Sequence, residues 1–395
     1  MRGRFVEGRW AYDPALYAPP RYRRGCGYEA FVPDTLGEFP AIEPTVAGAI
    51  SAAEDAIRGL NAFSRPGLQP LARLLLRTES IASSKVEGMQ LDARSLARAE
   101  ARSDLGQTIG PEAAEILANI DAMQLAVGEA TEADTFTLDH ILATHRALLA
   151  GAPNASEVAG VIRTTQNWIG GNDYNPCGAS FVPPPAEHVR PLLDDLVAFC
   201  NDESLPPLVQ AALAHAQFET IHPFADGNGR TGRALVQVVL RRRGIAPDYV
   251  PPISVVLAAD KDGYINGLTD FRAGRENAWL RSFAFAAARA AELAAGYLLR
   301  VQELQEEWRR ALTPAGVRSD AAAWRLIDVL PGHPIISQPV AAEATGRTRP
   351  AIQQAIDQLV EVGVLHALTT GKRNRQWEAA GLLDLSAEFE TLSAR

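Results

Sequence analysis

The stretch "FETIHPFADGNGRTGRALVQ", residues 218–237, places a histidine, an acid, an asparagine between two glycines and two arginines within the twelve positions His222 to Arg233. Gly227, Gly229 and Gly232 satisfy a G-x-G-x-x-G spacing, which alone suggests a dinucleotide-binding turn. Such a turn needs a strand before it in a βαβ unit. The preceding "LVQAALAHAQFETI" has helical spacing instead, so that reading fails. No G-x-x-x-x-G-K-[ST] occurs anywhere, which removes the P-loop as well. What remains is a phosphate cradle between two helices. Pro223 stops the first helix, and "RTGRALVQVVLRRR" starts the second. The Gly-Asn-Gly run lets backbone N–H groups turn inward, and a helix N-terminus adds its positive dipole end to the same place. Arg230 and Arg233 share a face there. Two cations at that end make sense when a polyphosphate lies between them and the amides. Asp226 offers a hard oxygen ligand suited to Mg2+. An unperturbed imidazole titrates near neutrality, so His222 suits the task of taking a proton from a hydroxyl. Base, metal ligand, anion nest and two cations together read as a phosphoryl- or nucleotidyl-transfer site.

Outside this stretch the 395 residues are those of an ordinary globular protein, 47% hydrophobic and 22% charged with net charge −9. The length allows two or three domains. Nothing is long and apolar enough to span a bilayer, and "MRGRFVEGRW" lacks the apolar core of a secretory signal. Cys26, Cys177 and Cys200 are irregularly spaced. They are read as neither a disulfide framework nor a metal pattern, and as suiting a reducing cytoplasm. The acidic balance provides no general attraction to nucleic acid or anionic lipid.

Residues 1 to about 45 carry Trp10, Tyr12, Tyr17, Tyr22 and Phe31 among prolines without steady periodicity, and are expected to form an extended arm. Helical spacing then dominates to about residue 312. It is interrupted by "RTTQNWIGGNDYNPCGASFVPPP", where β-branched residues and Gly-Asn-Pro turns predict a short hairpin. "TPAG" near residue 313 breaks the run. "SDAAAWRLIDVL", "QPVAAEATG" and "RPAIQQAIDQLVEVG" read as three helices, and "VLHALTTGKRNRQWEA" as a two-stranded wing, a winged-helix order. The expected fold class is thus mainly α: a helical core with a small β-hairpin, followed by a small winged-helix domain.

"HPFADGNGRTGR" resembles the signature of the Fic family, H-x-F-x-[DE]-G-N-G-R-x-x-R, at every specified position. Fic proteins are mostly helical enzymes that transfer AMP from ATP to a Ser, Thr or Tyr hydroxyl of a target protein. The resemblance implies ATP as substrate and Mg2+ as cofactor, and a hydroxyl-bearing protein, or the chain itself, as acceptor. It assigns His222 as the base and Asp226 as the Mg2+ ligand. Gly227, Asn228, Gly229, Arg230 and Arg233 would bind the phosphates. "TESIASSKVEG" is similar to the family's inhibitory helix, [ST]-x-x-x-E-[GN], here Ser83, Glu87 and Gly88. Glu87 would pair with Arg233 and hold back the γ-phosphate. The short motif also suits a plain helix end at Gly88. "RTTQNWIGGNDYNPCGASFVPPP" is similar to the flap that aligns the target by strand addition. "KDGYINGLTDFR" stands where the family lines its adenine pocket, with Tyr264 at the usual aromatic and Ile265 in place of a frequent second tyrosine. His215 is expected to be a buried structural partner.

The resemblance divides the chain into an arm and inhibitory region at 1–110, a catalytic core at 111–300 and the winged helix at 313–395. From Ser319 to Arg395 seven basic residues face nine acidic ones, and Lys372, Arg373 and Arg375 form the one basic cluster. Phosphate contacts need a basic face, so protein contact, including self-association, ranks above DNA for this tail. Two other readings stand beside AMP transfer. One is a Fic-fold enzyme with another donor or with AMP-removing activity, and the other a DNA-binding regulator whose core senses ATP.

Overall fold

Small and apolar residues dominate "PLVQAALAHAQFETI", and the segment forms a helix buried on every face from Leu208 to Ile221. A helix apolar all round belongs in the middle of a domain. It lies in one of two compact units of the computed structural model, which describes residues 3–12, 14, 18–37, 41–62, 69–315, 318, 321–369, 371 and 374–393. The first unit comprises Met1–Ala52, Ala122–Arg243 and Asp262–Phe285. The second comprises Ala53–Asp121, Gly244–Lys261 and Ala286–Arg395.

The chain begins with strands β1 (Gly3–Trp10) and β2 (Cys26–Pro33). Helices α1 (Pro44–Ala62), α2 (Gln69–Val86), α3 (Ala93–Ser103) and α4 (Pro111–Glu132) follow. Next come α5 (Leu138–Leu148), α6 (Ala155–Val158), α7 (Ala186–Cys200), α8 (Pro207–Ile221) and α9 (Asn228–Arg242). The helical run ends with α10 (Ile253–Ala259), α11 (Lys261–Arg272) and the long α12 (Glu276–Leu312). The tail holds α13 (Ala322–Val329), β3 (Ile335–Ser337), α14 (Gln338–Thr345), α15 (Arg349–Glu361), β4 (Leu365–Ala367), β5 (Gln376–Ala379) and α16 (Leu382–Ser393). The expected mainly α class is the observed one. No described helix is long and apolar enough to cross a membrane.

In the first unit α8 packs against α7 and α9. Its alanines at 211, 212, 214 and 216 are fully buried and admit close neighbours. Trp279 seals one side by donating its indole N–H to the Ala212 carbonyl at 2.9 Å. The expected extended arm is instead an antiparallel pair, in register from Gly3 against Pro33 to Trp10 against Cys26. The long connection between the strands hides this pairing from sequence periodicity, and Tyr17 lies outside the described residues. Residues 163–185 form less sheet than expected. One bridge joins Ile169 to Phe181, while Asn172 and Asn175 side chains accept the N–H groups of Tyr174, Asn175 and Cys177. Those turns engage donors that a hairpin ladder would use.

The cysteine expectation is corrected. Cys26 and Cys177 form a disulfide across a sequence separation of 151. Partners so far apart leave no spacing to read, and the bond removes the cysteine argument for a reducing compartment. Cys200 stays a buried thiol, its pKa pushed up to about 12 by burial.

The second unit is built on α2, whose polar Arg77, Glu79, Ser80, Ser83 and Ser84 are all buried. Glu79 accepts the Ser254 N–H at 2.8 Å at the start of α10. Asn119 of α4 donates to the Ser80 carbonyl at 2.8 Å and the Ser84 hydroxyl at 3.1 Å. Arg77 pairs with Glu100 of α3. In the tail the expected order of three helices and two strands is observed, with β3 added to give a sheet ordered β3-β5-β4. Lys372 and Arg373 lie outside the described residues. Arg375 lies over the ring of Trp377, 4.8 Å from its centroid.

Candidate active site

Proline after histidine sets the geometry of the motif. Pro223 cannot continue α8, and His222 leaves the helix in the left-handed conformation at φ 49° and ψ 62°. Among described residues only Asn374 shares a positive φ outside glycine. A non-glycine residue holds such a conformation when its surroundings over-determine it. Here they do. Arg163 donates from Nε to the His222 carbonyl at 2.9 Å and from its terminal nitrogens to Thr165, Pro184 and Ile221 carbonyls. Its own N–H donates to the Pro223 carbonyl at 2.9 Å. Asn167 donates to the carbonyls of His222 at 3.2 Å and Phe224 at 3.0 Å. Burial lowers the Arg163 pKa to about 10, so the clamp stays charged at neutral pH. The Glu219 carboxylate lies 4.0 Å from His222 Nδ1, on the preceding turn of α8.

The loop between the helices closes on itself. Asn228 accepts the Phe224 N–H at 2.8 Å and donates to the Phe224 carbonyl at 2.9 Å. Phe224 stacks on His145 of α5, the ring centroids 3.7 Å apart and nearly parallel. His145 Nδ1 accepts the Gly160 N–H at 2.9 Å, so Nε2 carries the hydrogen and donates to the Asp226 carbonyl, also at 2.9 Å. Burial holds His145 neutral, with a pKa of about 4. Gly227 then turns left-handed at φ 73°, where a Cβ would come within 2.9 Å of Leu148. The first intrahelical bond of α9 runs from Thr231 N–H to the Gly227 carbonyl, so the amides of Asn228, Gly229 and Arg230 precede it.

Arg230 and Arg233 are buried, with 3% and 2% exposure, whereas the Asp226 side chain is 75% exposed. One Asp226 oxygen accepts the Gly227 N–H at 2.6 Å, and the other lies 3.8 Å from Arg230. An exposed carboxylate beside an anion nest fits Mg2+, which takes one or two carboxylates and completes its shell with water and substrate phosphate. Gly232 packs α9 onto α8: a Cβ there would stand 2.6 Å from a Glu219 oxygen and 2.9 Å from the Phe218 ring.

Of the remaining sequence-predicted residues, Tyr264 is buried with its hydroxyl 2.9 Å from His215 Nε2. His215 is fully buried, its pKa lowered to about 3 by burial, as suits a structural partner. A different face of α11 lines a cavity of about 430 Å3, with Thr269 and Arg272 opposite Phe31, Tyr28 and Phe181. The Arg272 guanidinium lies 3.8 Å from the Phe181 ring centroid, and its Nε donates to the Thr220 hydroxyl at 3.3 Å. Ser83, Glu87 and Gly88 belong to the second unit. There α2 ends in a Schellman motif: Gly88 N–H donates to Lys85 carbonyl, and Met89 N–H to Ser84 carbonyl. Gly88, at φ 97°, supplies the turn, and Glu87 is the last residue before it. The plain helix-end reading of Gly88 therefore holds in the backbone.

Residues 135–240 match the Fic/DOC family, and residues 47–128 match the Fic/DOC family N-terminal region. The His222–Arg233 motif lies inside the first of these two matched regions. Two similar relatives are protein adenylyltransferase fic-1 of Caenorhabditis elegans, 39% identical over 123 residues, and protein adenylyltransferase Fic of Drosophila grimshawi, 36% identical over 140 residues. Those alignments cover 30% and 35% of this chain, and 22% and 27% of the relatives, so the match spans about a quarter of their length. Among solved structures, a Fic family protein from Desulfovibrio desulfuricans is similar over 87% of this chain and 99% of its own, with TM-score 0.52 and 21% identity. The Caenorhabditis elegans Fic-1 structure is similar over 63% of this chain and 71% of its own, with TM-score 0.50 and 25% identity. The Fic match at 135–240 contains both His145 and Arg163, which sequence reasoning had not placed in the site. The sequence reading assigned no role to His145 and met Arg163 as the first residue of the stretch similar to the flap. Their partners lie 81 and 59 residues away, beyond the reach of local spacing.

Proposed function

We propose that this chain is a Fic-type, Mg-ATP-dependent protein adenylyltransferase that moves AMP onto a Ser, Thr or Tyr hydroxyl of a target protein. The observation that carries the reading is the complete His222–Arg233 motif, held on a loop whose carbonyls are clamped by Arg163, Asn167, Asn228 and His145. The names of the relatives support it.

In this reading His222 takes the proton of the target hydroxyl while that oxygen attacks the α-phosphorus of ATP. The bond between the α-phosphorus and the bridging oxygen breaks, and pyrophosphate leaves. The α9 amides, Gly227, Asn228, Gly229, Arg230 and Arg233 hold the phosphates in line and stabilise the charge that develops. Asp226 would hold Mg2+, which neutralises phosphate charge when bound. The cavity beside Arg272 and Phe181 has the aromatic walls and size for a purine, more so than the surroundings of Tyr264. Ser83, Glu87 and Gly88 form a brake, with Glu87 restraining Arg233. On this view 111–300 carries the chemistry, 1–110 the restraint, and 313–395 contact with protein.

The test uses wild type, Glu87→Gly and Glu87→Gly/His222→Ala with Mg2+ and α-labelled ATP, reading label on protein after denaturation. Labelling is expected in Glu87→Gly, well above wild type, and is expected to disappear in the double variant. Equal labelling with and without His222 would sink the mechanism.

A further inference from the structure

Polar contacts hold α2 within the second unit, most of them buried and others partly exposed. From the middle of the helix to its last turn several are buried: Arg77 with Glu100, Glu79 with Ser254, and Asn119 with Ser80 and, in the last turn, Ser84. In the last turn, two residues before Glu87, Lys85 pairs with Glu390 of α16 at 2.8 Å, each side chain a little over a quarter exposed. Beside this pair is a cavity of about 230 Å3, lined by Thr78, Ile81 and Ala82 of α2, Val255 and Ala258 of α10, and Glu390. The end of α2 that carries Glu87 is therefore not backed by solid core on this side. A packed interior resists displacement, whereas an element bordering a cavity has room to move.

The α16 helix is itself fixed elsewhere in the same unit. Tyr297 of α12 bonds the Ser386 hydroxyl at 2.8 Å and packs on Phe389 at 4.8 Å between ring centroids. Arg94 of α3 pairs with Asp384 at 2.7 Å, and Leu383 joins a cluster with Ala97, Ala101 and Ile335. One partner of the Lys85–Glu390 pair is thus anchored, and the other sits at the mobile-capable end of α2.

We propose that the Lys85–Glu390 pair positions Glu87, so that the C-terminal helix α16 sets the strength of the brake. This rests on the reading of Glu87 as inhibitory. Lys85 and Glu390 are positioning residues, since neither belongs to the motif that handles ATP. A protein that engages the tail and draws Glu390 away would loosen the last turn of α2 and raise transfer without entering the active site.

The experiment uses full-length Lys85→Glu, Glu390→Lys and the double exchange Lys85→Glu/Glu390→Lys, each with and without Glu87→Gly. Self-labelling with α-labelled ATP and hydrogen exchange of amides 83–90 are read in parallel. Each single reversal is expected to raise labelling roughly two- to fivefold, the range a partly exposed ion pair supports, and to speed exchange at 83–90. The double exchange should reverse both changes. In the Glu87→Gly background the reversals should leave labelling as it is, which a general loss of stability would not. Unchanged labelling in the single reversals, with Glu87→Gly itself active, overturns the proposal. If Glu87→Gly labels no more than wild type, it is the inhibitory reading that has failed. Exchange at 83–90 then decides the anchoring alone: faster in the singles and restored by the double exchange supports it, and unchanged overturns it.

Discussion

Arg163 makes four side-chain hydrogen bonds, all to backbone carbonyls, and two of the acceptors are Ile221 and His222. A lysine has no planar fork to reproduce that set. Arg163→Lys should therefore destabilise the first unit by about 2–4 kcal/mol, because buried carbonyls lose their donors. It should also cut transfer while His222 is intact, and denaturant unfolding beside a labelling assay measures both. The buried histidines make a second prediction. His145 and His215 have folded pKa values of about 4 and 3, below the usual 6.5. A depressed folded pKa means that the unfolded state binds the proton first as pH falls. Their contribution is complete above about pH 6.5 and is lost as pH drops toward 4, at roughly 1.4 kcal/mol per unit for each histidine. Melting temperatures between pH 7 and pH 4.5 should fall accordingly, and a flat profile would contradict the burial of both rings. The motif itself was legible because its residues are contiguous and each serves one loop. His145 and Arg163 were not, because their role depends on tertiary contacts with carbonyls that carry no residue identity.

At the scale of elements, the close crossing of α8 and α9 depends on Gly232. Gly232→Ala would push a methyl to within 2.6 Å of Glu219 and 2.9 Å of Phe218, both on buried α8. Overpacking of this kind costs about 1–3 kcal/mol. It should appear as reduced stability together with weaker ATP binding, since Arg230 and Arg233 ride on the same helix. Helices α8 and α9 were readable from helical spacing, with Pro223 to stop the first and the Gly-Asn-Gly run ahead of the second. The β1–β2 pair was not, because strand partners flank a long connection and neither strand alternates strictly. The flap region misled in the opposite direction. Its Gly, Asn and Pro residues promised a hairpin, yet the asparagine side chains satisfy the turn amides and leave a single bridge.

Across the first unit, the Cys26–Cys177 disulfide joins the N-terminal strand pair to the 163–185 segment. Trp10 on Trp168 and Tyr22 on Tyr174 reinforce the same connection. Cys26→Ser should lower stability by about 2–5 kcal/mol, the upper end being what the chain-entropy argument gives for a loop this long. Unfolding of the variant beside wild type under non-reducing conditions measures it, and equal midpoints would mean that the bond does not form in solution. Nothing in the cysteine spacing announced this link, whereas the mainly α class followed directly from composition and periodicity. The same bond has a consequence for integrity. It closes a covalent ring from residue 26 to residue 177, enclosing α1 to α6. A protease that severs any one peptide bond inside that ring opens it without dividing the molecule. The cut protein would run as one species until a reductant released two, and the nick would pass unseen on a non-reducing gel.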